Sequence, residues 1–228
     1  MSPPLRMRFW RYVFHLPPID NMLRRRAADL MDKAGMDAHL HEAATYADIG
    51  SGSGHMLEEV LERSSKVSKL KCLGVDPFWR PILQVRRRLK QAFGGRHEFV
   101  RSGGENMPLE AGAVDVASLC FILHHVGHDL QAKIVAEAYR VLKPGGVLFL
   151  FEDTPATKRQ WRRVERWDRL TNFEPPWEKH YYRSIREWAA YLLEAGFQLV
   201  ETIEFDRMIP QMGMAPVPHC CLLLRKAV

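Results

Sequence analysis

Cysteine is scarce: 228 residues contain four, Cys72, Cys120, Cys220 and Cys221, with no C-x-x-C spacing among them. That excludes a disulfide-stapled fold and a cysteine zinc site, and it suits reduced core thiols in a cytoplasmic setting with no metal. No window approaches the roughly 18 apolar residues that a membrane span needs, and the N-terminus lacks the unbroken apolar region of a secretory signal, so a soluble protein is expected. Internal repeats and low-complexity tracts are absent as well. Acidic residues are missing before Asp20, while Arg6, Arg8 and Arg11 alternate with Met7, Trp10, Val13 and Phe14 until Pro17-Pro18. Such a segment reads either as a helix packed over the domain or as a peripheral membrane contact or targeting stretch.

What is present is enough for one core. Hydrophobic residues make up 46% of the chain, which at this length fits a single domain. The formal charge is +6, with basic clusters at Arg24-Arg25-Arg26, at Arg86-Arg87-Arg88 with Lys90, and at Lys158-Arg159 with Arg162, Arg163 and Arg166. Each falls in a helical pattern, so solvated helix faces account for them as well as an anionic partner does.

The richest stretch is Asp48-Ile49-Gly50-Ser51-Gly52-Ser53-Gly54. Ala43, Ala44 and Tyr46-Ala47 before it read as a buried strand, and Met56, Leu57, Val60 and Leu61 after it recur at helical spacing. The glycines therefore occupy a strand-to-helix turn, where backbone N–H groups approach a ligand without a Cβ in the way. The dinucleotide pattern G-x-G-x-x-G would need glycine at position 55, which is His55.

Further strands are expected at 70–75, 98–101, 114–121 and 147–151, separated by helical patterns; the helix containing Leu130, Ile134, Val135, Ala138 and Val141 ends at Lys143-Pro144-Gly145-Gly146. This alternation implies an α/β fold, a doubly wound, mostly parallel sheet that binds ligands outside the carboxyl ends of its strands. Residues 197–205 and 220–224 have no helix between them and should form an antiparallel ribbon at a sheet edge. Asp76-Pro77 ends the second strand 22 residues past Gly54, where doubly wound folds place an acid for a ribose hydroxyl pair.

The Asp48, Gly50, Gly52 and Gly54 spacing resembles motif I of the class I S-adenosylmethionine-dependent methyltransferases. Gly104-Glu105-Asn106-Met107-Pro108-Leu109 resembles the segment that borders adenine in that family, Cys120-Phe121-Ile122-Leu123-His124-His125 resembles its L-H-H segment, and Leu142-Lys143-Pro144-Gly145-Gly146 its L-K-P-G-G turn. The resemblance spans about 43–153 and implies a Rossmann-like seven-stranded sheet with S-adenosylmethionine as cofactor. It gives Asp48, Gly50, Ser51, Gly52 and Gly54 to the cofactor turn and Asp76 and Pro77 to its ribose. Gly104, Glu105, Asn106, Met107, Cys120 and Phe121 would line the remainder. One departure is Gly103, which stands where most members carry an adenine-binding Asp.

A single domain is expected: a helical cap over 1–42, a cofactor-binding core over 43–153, an acceptor-site insert over 154–183, and a C-terminal helix and ribbon over 184–228. His124 and His125 are the candidate general bases at the active-site edge. Of Glu152 and Asp153, Asp153 is preferred as the acid that orients a histidine or binds the acceptor. Trp161, Trp167, Phe173, Trp177, His180, Tyr181, Tyr182 and Arg183 in the insert suit a small apolar or aromatic acceptor. The chain lacks the D/N-P-P-Y/F and Pro-Cys motifs of nucleic-acid methylators, which argues against nucleic acid. An RNA-directed enzyme and a non-catalytic member of the fold are the alternatives.

Overall fold

The computed structural model describes residues 17–41, 44–65, 67, 69–78, 87, 89–155, 157–171, 179–207 and 217–228. The basic N-terminal stretch through residue 16, together with Phe173 and Trp177, lies outside the described residues. The first element is helix α1 (Pro17–Lys33), which proline opens from a position whose N–H needs no partner. Strand β1 (Thr45–Ile49) and helix α2 (His55–Arg63) flank the glycine turn, followed by β2 (Lys71–Asp76), β3 (His97–Arg101) and β4 (Val114–Cys120). Then come α3 (His128–Val141), β5 (Leu142–Asp153), α4 (Lys158–Thr171), α5 (Ile185–Glu194), β6 (Phe197–Arg207) and β7 (Val217–Lys226).

The seven strands lie in the order β3-β2-β1-β4-β5-β7-β6. β1 to β5 pair in parallel, and β7 pairs antiparallel with both β5 and β6. The expected α/β sheet with its antiparallel edge ribbon is thus the observed fold. Strand order reverses between β1 and β4, which opens the crevice where doubly wound sheets take ligands.

Period-two alternation sends each strand into two cores. Tyr46, Cys72, Val116, Phe149, Phe151, Cys221 and Leu223 meet α1 and α2 on one face. Ile49, Val75, Ala117, Leu119, Leu150, Leu222 and Leu224 meet Ile134, Val135 and Trp188 on the other. Arg63 fastens α1 to α2, bonding Asp29 at 2.6 Å and Asp32 at 2.8 Å as well as Glu59. All four cysteines are buried and none is in a disulfide. Among the described residues no helix is long and apolar enough to cross a membrane.

Element boundaries differ from the sequence reading in two places that matter. β5 begins at Leu142 rather than 147, because Leu142 pairs with Val114 and the proline-glycine turn is a bulge inside the strand, with pairing resumed at Val116 and Val147. β4 stops at Cys120, since Phe121 takes a left-handed φ of 57° that no strand accommodates.

Candidate active site

The glycine turn folds back on β2: the N–H groups of Gly50 and Ser51 both donate to the Val75 carbonyl, at 2.8 and 3.0 Å. Gly50, Gly52 and Gly54 have φ of 78°, 49° and 70°. A Cβ on Gly50 would lie 2.7 Å from Ile122, so this glycine admits the chain leaving β4; a Cβ on Gly52 would meet nothing closer than 4.0 Å, so that position faces open space. Asp48 lies inside β1 rather than closing it. Its carboxylate accepts from Ser118 Oγ at 2.7 Å, and the Ser118 hydroxyl lies 2.6 Å from that of fully buried Tyr46. Sequence reasoning missed Tyr46 and Ser118, which read only as strand interior.

Asp76 accepts from Gly52 N–H and Phe78 N–H, each at 2.8 Å. Burial raises its pKa, and the two backbone donors oppose that shift. Each carboxylate oxygen keeps further acceptor capacity for a hydroxyl pair. Ser51 is 7% exposed, and its hydroxyl oxygen is buried with no hydrogen-bond partner. A glycine turn facing open space, a carboxylate with spare lone pairs and an orphaned hydroxyl fit a ribose-bearing cofactor that carries an amino acid. Pro77 is exposed beside them.

The adenine-side segment divides. Glu105 and Asn106 are exposed, and the Glu105 carboxylate fills the space in which a Cβ on Gly103 would stand, Oε1 lying 2.5 Å from that position. Gly104 packs against Ile49, where a Cβ would approach to 2.9 Å. Met107 takes the core position, which its sequence context allows as well as one against adenine. It is 3% exposed within the core formed with α3, and its N–H is held by Glu137 at 2.7 Å, so its side chain fills the core rather than a ligand wall. Cys120 is likewise 1% exposed in the opposite core, while its carbonyl accepts from Arg24 of α1.

At the carboxyl ends of β4 and β5, strand alternation decides which acid meets which histidine. Glu152 points to the α3 face and accepts from Ile122 N–H at 3.1 Å and Leu123 N–H at 2.7 Å; His124 Nδ1 is 2.5 Å away. Asp153, one residue on, points to the α1 face, where its Oδ1 lies 2.8 Å from His219 Nε2; both residues are at most 1% exposed. The expectation that Asp153 orients a histidine of the L-H-H segment is therefore corrected: Glu152 makes that contact, and Asp153 pairs with His219. The Phe121 ring stands edge-on to His219 at 5.3 Å. His219 gave no motif signal, because only the antiparallel register of β7 sets it opposite Asp153.

The insert returns onto the same edge. Tyr181 N–H donates to the His124 carbonyl at 2.8 Å, and buried Gln131 donates to the carbonyls of Leu123, Val126 and Tyr181. Tyr182 then stacks on His124 with centroids 5.2 Å apart, and His180 stands 5.1 Å from His125. His124 is 2% exposed, while His125 is only half-buried. Among the described residues no group of histidines, cysteines and acids has the geometry to hold a metal ion.

Residues 47–150 match the family model of a methyltransferase domain, and the seven-stranded sheet and the glycine turn are those that the resemblance implies. The matched part of the chain belongs to the class I S-adenosylmethionine-dependent methyltransferases. The chain is similar to a ubiquinone/menaquinone biosynthesis C-methyltransferase, UbiE, of Campylobacter jejuni, with 26% identity over 198 residues, covering 79% of this chain and 81% of that one. The 1,6-didemethyltoxoflavin-N1-methyltransferase of Burkholderia thailandensis, solved with S-adenosylhomocysteine, shares the fold at a TM-score of 0.69 and 18% identity, covering 100% of this chain and 92% of that one. The cyclase SpnF shares it too, at a TM-score of 0.68 and 17% identity over 90% and 82% of the two chains. The methyltransferase uses S-adenosylmethionine as its cofactor.

Proposed function

We propose that this methyltransferase transfers a methyl group to a small aromatic acceptor carrying an ionisable hydroxyl, and that His125 takes the hydroxyl proton. The observation that carries the reading is the return of residues 180–182 onto the L-H-H segment, which gathers His124, His125, His180 and Tyr182 at the carboxyl edge of β4 and β5. Flat rings and imidazoles suit an aromatic acceptor, and imidazole exchanges protons near neutral pH. The Campylobacter relative is a C-methyltransferase of ubiquinone/menaquinone biosynthesis, which points to the same class.

When bound, the cofactor supplies an electrophilic methyl on a sulfonium. Asp76 would accept from its ribose hydroxyls, the backbone at Gly50, Gly52 and Gly54 would line its path, and the Ser51 hydroxyl would gain a partner. Glu105, standing over Gly103, would receive the adenine amino group in place of the missing Asp. Glu152 fixes the 121–125 chain and the His124 ring, and His124 backs His125 at a centroid distance of 4.1 Å. His125 would take the acceptor's hydroxyl proton, which readies the acceptor's carbon or oxygen for the methyl group that the bound cofactor would supply. Four buried cysteines, none in a disulfide, suit a cytoplasmic enzyme.

The experiment is turnover with a panel of hydroxylated quinol and phenol acceptors, together with calorimetric titration of S-adenosylmethionine. His125→Asn should bind cofactor normally and lose 10²-fold or more in kcat, the usual scale for a lost general base. Wild-type turnover by that variant removes His125 from the role, and no cofactor binding by wild type at millimolar concentration removes the site assignment.

A further inference from the structure

We infer that the outward face of α4 is a docking surface for an anionic lipid bilayer. Lys158, Arg159, Arg162, Arg163 and Arg166 line one cavity of about 520 Å³. At 100° per residue they fall within about 140° of the helix circumference, and they span about 12 Å of its length. Among the described residues none of the five has an ion-pair partner, whereas Arg169 on the same helix bonds Glu165 at 2.7 Å, and Arg63, Arg140 and Lys143 are all paired with acids. On the opposite side of α4 Val164 is fully buried, which fixes the cationic face outward.

Five uncompensated cations over that length exceed what one small anion can touch, and they match a field of headgroup phosphates. Trp161 flanks the cationic face at 36% exposure, the position in which interfacial helices carry an aromatic ring. Its ring meets Tyr182 at 5.8 Å, and Tyr182 stacks on His124, so an aromatic path runs from this face to the L-H-H segment. RNA is also an array of phosphates. Among the described residues, however, the face carries one ring, Trp161, edge-on to Tyr182, and no succession of rings on which bases would stack. Docking there would deliver an apolar acceptor from the bilayer to the site; that consequence rests on the proposed acceptor class, while the docking itself does not.

The test is co-sedimentation of the full chain with phosphatidylcholine vesicles, with and without phosphatidylglycerol, at low and physiological salt. Binding should require phosphatidylglycerol and weaken with salt. It should fall by about fivefold or more for each cation reversed in the triple variant Lys158→Glu, Arg162→Glu, Arg166→Glu. Equal binding by variant and wild type, equal binding to phosphatidylcholine alone, or displacement of the vesicles by a single-stranded RNA oligonucleotide overturns the proposal. Loss of binding only on reversing Arg6, Arg8 and Arg11 overturns it as well. Titration of S-adenosylmethionine into the same variants reads the cofactor site separately, so failure of the surface and failure of the enzyme reading are distinct results.

Discussion

Asp76 shows how a single side chain can cost the fold something and serve the site. Burial raises its pKa above the unfolded value despite the N–H groups of Gly52 and Phe78. A raised carboxyl favours the protonated form, so its contribution to stability is present below the unfolded pKa of about 3.9 and is lost as pH rises through the folded one. At pH 7 the ionised group is therefore a net penalty. Asp76→Asn should leave the unliganded protein as stable as wild type or more so in thermal melts at pH 7, with the gap closing towards pH 4, while cofactor affinity falls at least roughly tenfold as charge-assisted acceptors are lost. Glu152 acts through hydrogen bonds: its carboxylate accepts from two backbone N–H groups and lies against the His124 imidazole in a dry environment. Glu152→Ala should cost about 3 kcal/mol of stability by chemical denaturation, since it orphans buried donors.

Between elements, one tight junction joins the glycine turn to the chain leaving β4. Gly50 combines a φ of 78° with a Cβ position 2.7 Å from Ile122, so Gly50→Ala suffers both strain and clash. We expect a loss of about 2–4 kcal/mol by chemical denaturation, part of it recovered by adding Ile122→Ala, because the second substitution relieves the clash and leaves the φ strain in place. The turn and its flanking elements were legible in the sequence, because apolar periodicity and alternating glycines are local signals. The bulge at 142–147 was not, since Lys143-Pro144-Gly145-Gly146 reads as a terminator wherever its partner strand is unknown. The place of Met107 was not legible either: its segment suits an adenine border and a core methionine equally, and the structure puts the side chain in the core while Glu137 bonds its backbone.

For the whole molecule, burial controls the cysteines. Cys72 is pushed up to about 12, and Cys220 and Cys221 are raised as well, in each case chiefly by desolvation. Iodoacetamide at pH 8 should leave the folded protein unmodified over hours and alkylate four thiols in denaturant, counted by mass spectrometry. The sequence by itself determined the alternating α/β order, the two-sided burial of the central strands and the cofactor turn, because each is written in neighbouring residues with a fixed period. Tertiary structure alone decided which carboxylate meets which histidine. Adjacent strand residues face opposite sides of a sheet, so one position of register separates the Glu152–His124 contact from the Asp153–His219 contact. It also decided that residues 180–182 close on the L-H-H segment: a contact across about 55 residues of chain has no local pattern and exists only once Gln131 and the strand ends hold both segments in place.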